Sequence, residues 1–71
     1  MGAARRPSSL PELLQRVRAE YEETSGLRLT AAQAERFFGI ERVMCVEILD
    51  TLLTEHFLIR NRDGLLVRLA P

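Results

Sequence analysis

Seventy-one residues form one small domain, of a size whose core is marginal for independent stability. The ten basic residues are all arginine, and ten acidic residues cancel them to a formal charge of zero, so the basic surplus of a dedicated nucleic-acid binder is missing. One cysteine excludes an internal disulfide, and one cysteine with one histidine is too few for a structural zinc site. No apolar run is long enough to span a bilayer and no signal-peptide pattern is present. The lone thiol fits a cytoplasmic protein. Close packing or self-association is left to supply the stability.

Residues 1–8 carry no periodicity and are expected to be a flexible tail, with the domain occupying 9–71. Arg5 and Arg6 in that tail are read either as a phosphate-binding arm or as solubilising charge. Ser9-Leu10-Pro11-Glu12 is a capping-box pattern, in which the Ser9 hydroxyl accepts from the Glu12 amide and the Glu12 carboxylate reaches back. Leu10, Leu13, Leu14, Val17 and Tyr21 then follow at helical spacing, and Gly26 supplies a stop, so a first helix is expected over about 9–24. Leu27-Arg28-Leu29 alternates and reads as a short strand. Thr30-Ala31-Ala32-Gln33 is a second capping box. It opens a helix whose buried face is expected to be Ala31, Ala34, Phe37 and Phe38, ending at a left-handed Gly39.

A third helix is expected from about Glu41, where an acidic residue suits the positive end of the helix dipole, to Glu55 or His56. Cys45, Ile48, Leu49, Leu52 and Leu53 form its core stripe. From Phe57 to Leu69 the chain reads as a hairpin around Arg62-Asp63-Gly64. A three-residue loop with Gly64 left-handed pairs Ile59 with Val67 and Phe57 with Leu69. That register gathers Phe57, Ile59, Leu65, Val67 and Leu69 on one face and Arg60 and Arg68 on the other. A one-residue slip would mix arginines with the leucines, so the hydrophobic pattern selects this register.

The resulting order is helix, short strand, helix, helix, strand, strand, with a glycine turn between the second and third helices. With the T-x-x-Q cap at Thr30 to Gln33, Gly39, the run Leu49-Asp50-Thr51-Leu52-Leu53, and Phe57-Leu58-Ile59-Arg60 leading into Asp63-Gly64 and Val67-Arg68, the chain resembles the winged helix-turn-helix superfamily and its small bacterial regulators. The likeness covers about Leu10 to Leu69. It implies an α+β fold of three helices with a short strand and a C-terminal β-hairpin wing. It also implies DNA as partner, with the third helix in the major groove and the wing on phosphate or the minor groove.

The residues themselves divide on that implication. Candidate DNA contacts are Arg42 on the third helix, Thr30 and Arg28 before the second helix, and Arg60, Arg62 and Arg68 in the hairpin. Residues 57–71 carry three arginines against Asp63, net plus two, which suits phosphate contact; the same arginines also suit a solvated sheet edge. Arg28 and Arg36 either extend that patch or pair with Glu35 and other acids. Residues 40–56 carry Arg42 against Glu41, Glu47, Asp50 and Glu55, net minus three, which repels phosphate. The outward positions of the third helix are expected to be Arg42, Val43, Val46, Glu47, Asp50 and Thr54. Val43, Met44 and Val46 are either core residues or a protein interface, so a homo-oligomer or a protein-interaction module is the rival reading. Cys45 reads as a small buried hydrophobe and His56 as a surface residue at a helix end. No nucleophile-base spacing or phosphate-binding glycine loop is present, so the chain is read as a non-enzyme without cofactor or metal.

Overall fold

The computed structural model describes residues 9–69. The expected tail, 1–8, lies outside them. The chain folds as α1 (Leu10–Glu23), β1 (Arg28–Leu29), α2 (Ala31–Phe38), α3 (Arg42–Thr54), β2 (Leu58–Arg60) and β3 (Leu66–Arg68). It is an α+β arrangement of three helices with a small antiparallel sheet in the strand order β1-β3-β2. No described helix is long and apolar enough to cross a membrane.

Local chemistry sets each boundary. Both capping boxes form: Ser9 with Glu12 at the start of α1, and Thr30 with Gln33 at the start of α2, where the two reciprocal bonds are 3.0 and 3.1 Å. Each satisfies two amides that the first helical turn would otherwise leave open. Gly39 closes α2 in the left-handed conformation (φ 66°), and the Ile40 amide reaches back to the Glu35 carbonyl at 3.1 Å.

Helix α3 ends in the same way, but with a histidine in the left-handed position. His56 has φ 65°, its amide bonds the Leu53 carbonyl at 3.1 Å, and the Phe57 amide bonds the Leu52 carbonyl at 2.9 Å. A side chain there crowds the following carbonyl, which glycine avoids.

The core is built from Val17 and Tyr21 of α1, Ala34 and Phe38 of α2, Cys45, Ile48, Leu49 and Leu52 of α3, Leu29, Leu58 and Leu66 of the sheet, and Ile40 of the inter-helix turn. Leu10, Leu13, Leu14, Met44, Leu53 and Phe57 pack around it. In α2 only two of the four expected residues turn inward. Ala34 and Phe38 are one turn apart and share a face, whereas Ala31 is exposed and Phe37 remains 49% exposed. Adjacent helical residues point about 100° apart, and with Phe38 directed into the core Phe37 falls at the edge of that face.

The hairpin takes the expected register: Ile59 opposes Val67, and the Leu69 amide bonds the Phe57 carbonyl at 3.0 Å. Gly64 is left-handed (φ 83°) and Asn61 organises the turn, its side-chain oxygen accepting from the Asp63 and Leu65 amides at 2.9 Å each. The buried face, however, is the opposite one. Leu58 and Leu66 enter the core together with Leu29, which pairs with Leu66. Ile59, Val67 and Leu69 lie on the uncovered side. The turn at His56 leaves no slack between α3 and β2, so the strand enters with Leu58 facing the helices. Those helices form one layer and cover one face of the sheet, and no described element covers the other.

Replacing His56 with Gly relieves the left-handed side chain, about 1–2 kcal/mol, at a chain-entropy cost of about 0.5–1 kcal/mol. The variant is expected to be more stable by about 0.5–1 kcal/mol in urea unfolding. A lower midpoint at unchanged slope would show that the His56 side chain makes a contact worth more than the strain.

Candidate nucleic-acid interface

Four of the arginines proposed from sequence belong to the sheet and its turn. Arg28 is on β1, opposite Val67, and therefore on the uncovered sheet face with Val67 and Ile59. Arg60 opposes Leu66 and Arg68 opposes Leu58, which places both on the other face, at its margin. Arg62 lies in the turn. All four are exposed, and none has a carboxylate within ion-pair distance among the described residues. Arg28 and Arg68 flank one open groove of about 530 Å³, lined also by Tyr21, Leu27, Val67 and Glu22. The Arg68 guanidinium lies 5.5 Å from the Phe57 ring centroid, and that of Arg18 lies 5.3 Å from it. These contacts hold two cations against an aromatic ring.

Thr30 is half-buried, and its hydroxyl already accepts from the Gln33 amide. Its place is at the helix cap rather than on the arginine surface. Arg42 is exposed, but its Nε lies 3.4 Å from the Glu35 carboxylate, so its charge is partly matched. Beyond it the outward side of α3 presents Val43, Val46, Glu47, Asp50 and Thr54, the set expected from its periodicity. Val43 is 71% exposed and Val46 51%. Met44 differs from them: it is half-buried and packs against the core. The arginine surface and the α3 surface thus have opposite electrostatic character.

Sequence reasoning missed three side chains that fix this geometry. The Arg16 guanidinium donates to the Phe38 carbonyl at 2.9 Å, holding the end of α2 against α1. Arg18 pairs with Glu55 at the end of α3. The Tyr21 hydroxyl donates to the Leu66 carbonyl at 3.0 Å. These bonds join positions 22, 37 and 45 residues apart, and no local pattern marks them. The exposure of Phe37 was also missed, because its spacing of three from Ala34 places it on the same side of the helix as the buried residues.

Cys45 is buried, and burial followed by the nearby Glu35 charge pushes its thiol above the ordinary range. It is poorly placed for thiolate chemistry. Tyr21 is 2% exposed, and desolvation, with a smaller contribution from Cys45, raises its phenol from 10.0 to about 12.

Comparison with known proteins adds no relative: no family model, no curated protein and no solved structure matches the chain.

The Tyr21 shift carries a stability consequence. Between pH 10 and about 12 the unfolded chain has released the phenolic proton while the folded chain keeps it. The contribution is therefore complete below pH 10 and is lost as pH rises through that window, at up to about 1.4 kcal/mol per pH unit. Cys45 acts in the same direction, so the comparison is made with Cys45 retained. Tyr21→Phe is expected to cost about 1 kcal/mol at neutral pH through the lost bond. It should also flatten the alkaline fall in urea-measured stability. An identical alkaline slope in the variant would refute the assignment.

Proposed function

We propose that the chain is a winged helix-turn-helix domain that binds duplex DNA as a regulator of transcription, with the hairpin wing as its main contact. Support for the winged-helix reading comes from the element order, the sheet order β1-β3-β2 and the glycine turn between α2 and α3. The observation that carries the DNA reading is the set Arg28, Arg60, Arg62 and Arg68, exposed around one small sheet without carboxylate partners among the described residues. Guanidinium groups so placed pair with phosphate oxygens and enter a narrow minor groove.

Base reading by α3 has little to work with. Glu47 and Asp50 repel the backbone that the helix would have to approach, Val43 and Val46 offer no hydrogen bonds, and Arg42 is shared with Glu35. The contact is therefore phosphate-led, and sequence discrimination is weak.

A second reading, a winged-helix protein-interaction module, is favoured by one specific observation: two valines stand exposed on an acidic helix in a chain of zero net charge. It predicts partner binding without DNA binding.

Anisotropy titration of a mixed-sequence duplex against salt separates the two. Two to four neutralised phosphates give a slope of log K against log salt of about −1.8 to −3.6 per chain. Replacing Arg60 and Arg62 with Ala should weaken binding and reduce that slope by about 1.8. Absence of binding at low salt, or a slope indifferent to the two substitutions, would overturn the wing reading.

A further inference from the structure

We infer that the chain self-associates by setting the acidic, valine-bearing face of α3 of one copy against the uncovered face of the sheet of another, where Arg28 lies beside Ile59 and Val67.

The two faces match in layout. On α3, positions 43, 46, 47 and 50 fall at helical spacings of three, four and seven and form one stripe, with Val43 and Val46 beside Glu47 and Asp50. All four are exposed. Glu41 adds a further exposed acid at the helix start, and Arg42 is drawn toward Glu35. On the sheet, strand register lines up Arg28, Val67 and Ile59 in one row across β1, β3 and β2. Ile59 and Leu69 remain 39% and 40% exposed, and Arg28 has no carboxylate partner among the described residues. Each face is an apolar strip bordered by charge: Glu47 and Asp50 on α3, and Arg28 on the sheet, with Arg68 and Glu22 lining the groove beside it.

The occupant follows from that complementarity. A symmetric contact of α3 with α3 would bring Glu47 and Asp50 of both copies together and cost like-charge repulsion. A contact of sheet with sheet would do the same with Arg28 of the two copies. Pairing α3 with sheet replaces both repulsions with attraction while burying the valines against Ile59, Val67 and Leu69. The whole chain has no net charge to oppose its own association. The contact closes as a dimer if two copies reciprocate it and extends if they do not. It stands independently of DNA binding and would compete with it where Arg28 is used by both.

The test is light scattering of the full chain over a concentration series, at low and high salt. The wild type is expected to gain mass with concentration and to lose it as salt screens the charges. Two charge-reversed variants follow, one with Glu47→Arg and Asp50→Arg and the other with Arg28→Glu. Each alone should self-associate about tenfold or more weakly. Mixed in equal amounts they should recover association, because a basic α3 then meets an acidic sheet and the reverse. Circular dichroism confirms that both variants fold; if either does not, the salt dependence of the wild type decides. A wild type that stays monomeric overturns the inference, as does association that salt leaves unchanged. So does a sheet-reversed variant that associates like the wild type, or a mixture of folded variants that stays monomeric. Self-association without duplex binding would support this contact and refute only the DNA reading.

Discussion

The hydrogen bond from the Tyr21 hydroxyl to the Leu66 carbonyl ties the helical layer to the middle strand of the sheet. It closes a span of 45 residues inside a core where a bare hydroxyl or carbonyl would cost about 1–3 kcal/mol. Two further bonds leave the same helix: Arg16 holds the last carbonyl of α2 and Arg18 holds Glu55 just past the end of α3. Helix α1 thus holds the ends of the other two helices, and β3, against itself. Those endpoints matter because both turns that follow, at Gly39 and His56, are single left-handed residues with no slack. The angle of α3 against α2 and the entry of β2 against the core both depend on them.

That constraint decides which side chains reach solvent. Since β2 enters with Leu58 inward, Ile59 and Leu69 are left on a sheet face that no described helix covers, beside Arg28. Since α3 buries Cys45, Ile48, Leu49 and Leu52, its remaining stripe carries valines and acids. The charges of a neutral chain are therefore sorted into an acidic helix face and an arginine-bearing hairpin. The layout presents two separate surfaces, a cationic hairpin and an acidic, valine-bearing helix face. The helix that the fold resemblance assigns to the major groove is chemically the less suited of the two surfaces.

Much of this was readable in the order of residues because it is local. Ser9 with Glu12 and Thr30 with Gln33 announce helix starts through side chains three positions away, and Gly39 announces a stop. The α3 stripe and the pairing of Ile59 with Val67 follow from periodicity and from Asp63-Gly64. What was not readable depends on contacts distant in sequence. Counting apolar residues on the hairpin favoured the five-member face, but the tight turn at His56, not the count, set Leu58 and Leu66 inward. Nothing next to His56 marks it as left-handed, and nothing next to Arg16, Arg18 or Tyr21 names the carbonyl or carboxylate each one meets. Of the candidate site, the arginines and exposed valines were visible as residue types. That Arg42 leans on Glu35 and that Met44 joins the core depended on the packing of α2 against α3.

The central claim, that anion contact belongs to the hairpin and not to α3, is tested most directly by amide chemical-shift mapping during titration with a short mixed-sequence duplex at low salt. The account predicts perturbations concentrated at Arg28 and across residues 60–68, with residues 42–50 little changed. Perturbations concentrated along residues 42–50, with the hairpin silent, would contradict it.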